Sequence, residues 1–445
     1  MTFAHRLLLF LLAAMMYAGC APQPLSAQAP ATTASATTAS TASPISSPQP
    51  AYHLPPAQLA RAVALSRIRN LLDIAGSLWA IAVLWLLLAG RIAAQMEKRV
   101  ARITGRCWLQ GLLFFAAFLI ITTLAGLPLD LYGQYAERSF QISVQGWPGW
   151  FWDQAKSLGL TLALGAPLLL FFNWIVRRWP RRYWLGAWLA TLPILVATVF
   201  VAPLIGPLFD TFEPLSLHHV QLVQQLEKVV ARTGTRIPPD RMFLMQASAK
   251  TNGLNAYVTG IGATKRIVVW DTTAGRIPNN EILFIFAHET GHYVLHHLPK
   301  GIALTAAGLF FVYWGCSACA AWLARRCGAR WGATDLASRT GFVVLLFTIA
   351  VAGFLLQPVS NAVSRHFEHQ ADVYGQEAIH GIVPDPQKTA VAAFNDLGQA
   401  WLEDPSPNPL IEFWLYSHPS TEHRAEFAQH YNPWANGGHG KFFAH

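Results

Sequence analysis

Long apolar runs alternate with short polar ones along most of this chain. The runs lie near residues 71–89, 109–127, 157–175, 184–205, 301–324 and 341–357. Each approaches the roughly 20 residues that a helix needs to cross a bilayer. The pattern predicts a mainly α, polytopic helical membrane protein of about six spans. Residues 1–20 form a shorter apolar run behind Arg6 that ends in small residues, and read as a signal peptide or signal anchor. Ala27-Gln28-Ala29 offers one cleavage point, and Tyr17-Ala18-Gly19-Cys20 resembles a lipoprotein processing box. Residues 21–55, dominated by Ala, Thr, Ser, Pro and Gln, bury too little apolar surface to order and read as a flexible tether. A short amphipathic helix is expected over 56–70, with Leu59, Val63 and Ile68 on one side. Residues 56–205 then make an N-terminal membrane domain of four spans. Residues 206–445 make a second domain with the two spans at 301–324 and 341–357.

The stretch 206–300 lacks such runs. Val220, Val223, Leu226 and Val230 share one face of a helix expected over 217–232. Arg241 to Met245 reads as a strand. Asn255 to Gly260 and Ile267 to Asp271 are β-rich and flank a Gly-containing turn, which predicts a hairpin in a small sheet. A helix then starts near Asn280, behind Pro278, and stops before Pro299. Past the last span, 364–374 and 388–402 read as further helices, and 436–440 as a loose tail.

Composition agrees with a membrane setting. The 445 residues are 53% hydrophobic and 12% charged, about half the charged fraction of an ordinary soluble chain. The mean hydropathy is +0.32. The net charge of +9 does not point to nucleic acid, because no basic face interleaved with aromatics appears. Much of the excess sits in three loops instead: Arg91, Lys98, Arg99, Arg102 and Arg106; Arg177, Arg178, Arg181 and Arg182; Arg325, Arg326, Arg330 and Arg339. With six crossings these loops share one side, which the positive-inside rule makes cytoplasmic. The segment 206–300 and the tail from 358 then face outward. A signal at the start puts the residues before the first span on that same side. The five cysteines form no disulfide framework, and Cys316 and Cys319, inside a span, read as small buried hydrophobes.

The chemistry concentrates in Ile282 to His297, an apolar stretch that holds His288-Glu289-Thr290-Gly291-His292. Residues four apart on a helix lie one above the other, so His288 and His292 converge on one point, as a zinc ion requires. Glu289, one step round, is placed to take a proton from a metal-bound water. A catalytic zinc wants a third protein ligand and an open position. Glu368 and Asp372, four apart on another helix, can supply the ligand and an orienting or proton-handling carboxylate. His296 is expected to stack below His292, one turn too far to share the metal. His297, His366, His369 and His380 read as satisfied or exposed.

The chain resembles the type I CAAX prenyl endopeptidases, integral-membrane zinc metallopeptidases, and in particular their bacterial members. The resemblance runs from Leu127-Pro-Leu-Asp-Leu-Tyr132 to Arg424. It is carried by Ala202 to Phe209, Asn255-Ala256-Tyr257 with Lys265 to Val268 and Asp271-Thr272, His288 to His292, Glu368 to Asp372, and His418-Pro419 with Arg424. It implies one zinc per chain held by His288, His292 and Glu368, with Glu289 activating water. It implies Asp372 as proton donor, His418 as oxyanion stabiliser with Arg424 as support, and Asn255, Ala256 and Tyr257 on the strand that pairs with substrate. It implies peptide or membrane-protein substrates, a lipid bilayer as setting, and a multi-pass protein of the bacterial inner (cell) membrane. Two features depart from the eukaryotic members: the loop charges put the site outside the cytoplasm, and the Ala/Thr/Pro tether has no counterpart. Envelope or membrane proteins thereby become the expected substrates. The rival reading is a non-catalytic transporter or scaffold with a structural zinc. It would need four protein ligands, and no cysteine lies near the histidines.

Overall fold

The computed structural model describes residues 51–444. The signal or anchor assigned to 1–20, with Cys20, and most of the tether assigned to 21–55 lie outside the described residues.

Among the described residues, six helices are long and apolar enough to cross a membrane. They are α1 (Pro56–Ala89), α3 (Cys107–Ser139), α4 (Trp147–Arg178), α5 (Tyr183–Ile205), α9 (His297–Trp331) and α10 (Arg339–Ala378). They touch in a circuit: α1 on α3, α3 on α4, α4 on α5, α5 on α9, α9 on α10, and α10 back on α1.

The boundaries differ from expectation in three places. The amphipathic helix expected over 56–70 and the first span are one helix, α1, because no breaker separates them and Pro56 sits at the start, where its missing N–H costs nothing. The basic stretch 90–108 contains a helix of its own, α2 (Ile92–Ile103), which buries Ala93, Ala94, Met96 and Val100 and turns its charges outward. Helix α10 joins the sixth span to the segment expected as a separate helix over 364–374; polar residues past Pro358 end the apolar pattern but not the helix. Within α9, Cys316 is buried as expected, but Cys319 is exposed.

The charged loops meet at one end of the circuit. Arg91 donates to the carbonyls of Arg330 at 2.7 Å and Ala329 at 2.9 Å. Arg339 donates to the Cys107 carbonyl at 3.1 Å and lies 3.6 Å from Glu97. Arg177 donates to Cys107 Sγ at 3.4 Å.

At the other end sits a four-stranded sheet in the order β1-β2-β4-β3. The strands are β1 (Phe212–Pro214), β2 (Met242–Met245), β3 (Ala256–Thr259) and β4 (Arg266–Trp270). The expected hairpin is β3 with β4, antiparallel, pairing Val258 with Ile267. Its turn needs Gly260, whose φ is 88° and where a Cβ would lie 2.2 Å from the Thr264 carbonyl oxygen. The short α7 (Asp271–Ala274) follows β4. Helices α6 (Val220–Thr233), α8 (Asn279–Val294) and α11 (Pro386–Trp401) pack with the sheet in one core, together with α13 (Thr421–His430). The short α12 (Pro409–Leu415) lies against α10.

A second core fills the arginine end, around Leu84, Phe114, Phe118, Leu169 and Val344. Between the two cores, over 67–79 of α1 and 351–367 of α10, only Gly76, Pro358 and Asn361 are buried.

Candidate metal centre

Helix α8 is apolar on every side. Ile282 to His288 are all buried, which is the pattern of a helix enclosed by protein. Enclosure delivers His288 and His292 to the interior, both 6% exposed. Helix α10 crosses beside α8, and two glycines set how closely. A Cβ on Gly291 would lie 3.0 Å from the Tyr374 ring, and one on Gly375 would lie 2.9 Å from the backbone nitrogen of His288. That approach brings Glu368 to the histidines. Glu368 lies 11 residues past 357, about 16 Å along the helix, so the centre stands just beyond the apolar part of α10.

His288 Nε2 and His292 Nε2 are 3.2 Å apart. Glu368 Oε2 is 3.3 Å from His288 Nε2, and Oε1 is 3.6 Å from His292 Nε2. Four-coordinate zinc, with ligands at about 2.0–2.2 Å, spaces them by roughly 3.3–3.6 Å. The triangle therefore fits a tetrahedral metal. Glu368 is 2% exposed, and its Oε2 makes no hydrogen bond among the described residues, a buried acceptor that a cation would satisfy.

Asp372, one turn past Glu368, puts Oδ1 2.9 Å from His288 Nδ1, off the straight direction of a ring N–H. Arg424 holds Asp372 from the other side with two hydrogen bonds, Nε to Oδ2 at 2.9 Å and Nη2 to Oδ1 at 2.6 Å. Burial opposes a charged His288, but Asp372 and Glu368 outweigh it and hold the imidazole well above its usual range. A metal would have to displace that proton. Burial pushes His292 down to about 3, so His292 is neutral, as a ligand must be.

Glu289 is partly exposed by surface area, yet its carboxyl lies deep in the fold, and burial raises it to about 7. The Val258 N–H hydrogen-bonds to it, and the Val258 carbonyl accepts from Tyr293 Oη at 3.3 Å. Strand β3 is thus seated against the motif with its outer edge beside Glu289. Asn255 pairs inward: its carbonyl accepts from Trp270 N–H at 3.0 Å and its N–H donates to Thr273 Oγ1 at 2.7 Å. Alternation along the ladder turns the N–H and C=O of Ala256 to the outer edge with those of Val258, while Tyr257 pairs with Val268 on β4. His418, on the loop between α12 and α13, brings Nε2 to 3.3 Å from Glu368 Oε2, with 40% of its side chain exposed.

The fold therefore gathers His288, Glu289, His292, Glu368, Asp372, His418 and Arg424 at one point, with Ala256 on the adjoining edge. His296 departs from expectation: α8 ends at Val294, and His296 takes a left-handed conformation (φ 58°) outside the helix. It is exposed and does not stack below His292. His297, read as a satisfied or exposed histidine, is satisfied by a residue of the centre: its Nδ1 lies 3.0 Å from His292 Nδ1. Gln370, which lies 2.9 Å from His297 Nε2, was not legible as part of the site, nor were Gly291 and Gly375.

A membrane-spanning helical circuit closed at one end, with such a centre at the other, defines a membrane-embedded metallopeptidase. The chain belongs to peptidase family M48. The model of that family matches residues 216–432, and the model described as "CAAX prenyl protease N-terminal, five membrane helices" matches residues 42–211. The "Uncharacterized metalloprotease YhfN" of Bacillus subtilis is 34% identical over 386 residues, 85% of this chain and 87% of that protein. "CAAX prenyl protease 1" of Saccharomyces cerevisiae is 28% identical over 335 residues, 71% of each. The fold is similar to that of the S. mikatae Ste24p crystal structure, with a TM-score of 0.70 at 22% identity, over 84% of this chain and 90% of that one. The transporter or scaffold alternative finds no support.

Proposed function

We propose that this protein is a zinc endopeptidase of a bacterial cell membrane, with its site on the extracytoplasmic face, acting on envelope or membrane proteins and peptides. The observation that carries the reading is the triangle of His288, His292 and Glu368 at zinc spacing, with Glu289 beside it and the outer edge of β3 adjoining. Bound zinc supplies an activated water and polarises the scissile carbonyl.

The chain's own residues do the rest. An extended substrate adds to the outer edge of β3, where the Ala256 N–H and C=O are turned outward and Asn255 and Tyr257 hold the strand to β4. Glu289 accepts the water's proton and passes it to the leaving amine. His418 donates from Nε2 to the oxygen that becomes negative. Asp372 orients His288, and the double hydrogen bond from Arg424 suits it to remain ionised. This favours a positioning role over the proton-donor role that the resemblance implies.

The sidedness rests on the arginine loops, which gather at the end of the circuit away from the centre. Prenylated C-terminal tails lie in the cytosol, out of reach of a site so placed. We also take 56–205 as the membrane domain and 206–445 as the peptidase domain, with two spans of its own. A reporter fused after Pro299 is expected to read extracytoplasmic, and one after Ala324 cytoplasmic; the reverse would overturn the topology. Glu289→Gln is expected to bind zinc and lose at least about 100-fold in turnover. Full turnover by that variant with zinc bound would rule out the general base. Full zinc occupancy in Glu368→Ala would rule out the third ligand.

A further inference from the structure

We propose that His297 is a positioning residue for the metal centre. It accepts the Nδ1–H of His292 and thereby leaves His292 Nε2 bare to bind the metal. The inference rests on the zinc reading above.

Two imidazoles facing each other through Nδ1 cannot both donate. The 3.0 Å contact between His292 Nδ1 and His297 Nδ1 needs one proton between them, and its owner decides what His292 can do. If His297 Nδ1 carried the proton, a neutral His292 would hold its own on Nε2, aimed at His288 and Glu368, and could not ligate. The surroundings settle the choice. His297 Nε2 lies 2.9 Å from Gln370 Oε1, an acceptor, so the ring donates there and its proton belongs on Nε2. In that orientation the Gln370 Nε2 donates to His366 Nε2 at 3.1 Å. A neutral His297 then presents a bare Nδ1, and His292 must donate to it. Every donation runs one way, from His292 outward through His297 and Gln370 to the exposed His366.

The ring plane is fixed as well. His297 is 2% exposed and stacks on Phe367, 4.5 Å between centroids and 8° between planes. Its place depends on the left-handed His296, which ends one helix and starts the next. Residue 297 is thereby brought back under His292 instead of continuing the turn of α8. The two histidine ligands are thus oriented differently: His288 by a carboxylate under an arginine, His292 by a neutral histidine and an amide. Partners of this kind typically change metal affinity about 10–100-fold when lost.

The test uses the full chain in detergent and measures zinc affinity by competition with a chelator, alongside melting of the metal-free protein. His297→Phe keeps the stack on Phe367 and removes the acceptor. His297→Asn keeps an acceptor oxygen close to where Nδ1 stood. Gln370→Met removes the group that places the proton and leaves His297 in place. The expected result is zinc binding weakened about 10–100-fold in His297→Phe, in the same direction in Gln370→Met, and recovered to within a few-fold of wild type in His297→Asn, with metal-free melting unchanged in all three. Wild-type affinity in His297→Phe would overturn the proposal. So would His297→Asn as weak as His297→Phe with metal-free melting lowered in both, since that is a packing effect. If His297→Phe does not fold, Gln370→Met decides: wild-type affinity there overturns the proposal. A wild-type chain that takes up no zinc would overturn the metal reading itself, and this inference with it.

Discussion

Arg424 and Asp372 form a two-point hydrogen-bonded pair across the centre, Nε to Oδ2 at 2.9 Å and Nη2 to Oδ1 at 2.6 Å. The pair joins α13 to α10 and faces His288, while the guanidinium also lies 4.6 Å from the Phe394 ring centroid. Removing one partner of a buried pair typically costs about 3–5 kcal/mol, because the other charge is left alone. Arg424→Met is therefore expected to lower the melting temperature and weaken zinc binding together. Arg424→Lys, which cannot make both bonds in one plane, should fall between. Unchanged zinc affinity in Arg424→Met would show that Asp372 needs no holding.

A carboxyl raised by burial gives the metal-free protein a pH signature. Glu289 is raised from its ordinary value to about 7. Its contribution to stability is fully present below the unfolded value of about 4.3 and is lost as pH rises through about 7. Other buried carboxyls, such as Glu403, add to the same window. The difference between variants isolates Glu289. The stability of metal-free Glu289→Gln should gain on wild type between pH 5 and pH 7.5, by about 1–3 kcal/mol after allowance for its partial exposure, read as a rise in its melting temperature relative to wild type. A pH-independent difference would contradict a raised Glu289.

The glycine contacts between α8 and α10 predict an order of sensitivity. A methyl at Gly375 meets the backbone of His288 at 2.9–3.0 Å, and one at Gly291 meets the Tyr374 side chain at 3.0–3.1 Å. Backbone cannot move aside as a ring can. Gly375→Ala should cost about 1–3 kcal/mol of stability, and should weaken zinc binding more than Gly291→Ala. The reverse order would mean that the approach of the two helices does not set the site.

The C-terminal tail docks on one buried carboxylate. Glu377 accepts from the N–H groups of Lys441 at 2.7 Å, Phe442 at 2.6 Å and Phe443 at 3.0 Å, and from Tyr431 Oη. Phe442 and Phe443 then pack on Tyr374, 5.6 and 5.1 Å between centroids, and Tyr374 lies against Gly291. Glu377→Ala leaves three backbone donors without their acceptor. It should release the tail to limited proteolysis after Gly438 and lower stability by about 2–4 kcal/mol. A tail equally protected in the variant would contradict this docking.

The expected tail at 436–440 shows where sequence reading ran out. Nothing local marks Lys441 to Phe443 as partners of Glu377, more than sixty residues away. The spans were legible because bilayer length imposes itself on composition, and the hairpin because Gly260 and the β-rich runs flank one turn. His288, Glu289 and His292 were legible because helical spacing alone converges them, and Glu368 with Asp372 for the same reason one helix later. Their meeting was not: it depends on α10 running unbroken past Pro358 and on glycines whose need appears only when two helices cross. His297 was hidden by one residue. Read as a continuing helix, the chain points residue 297 elsewhere; His296 at φ 58° turns it back.

Peptide cleavage followed through metal removal and return tests the central claim most directly. The protein in detergent is stripped of metal by a chelator, assayed on a fluorogenic peptide, and assayed again after one equivalent of zinc. Hydrolysis is expected to vanish on stripping and return with the single equivalent in wild type, and not to return in Glu368→Ala. Undiminished cleavage by the stripped wild-type protein would contradict the account.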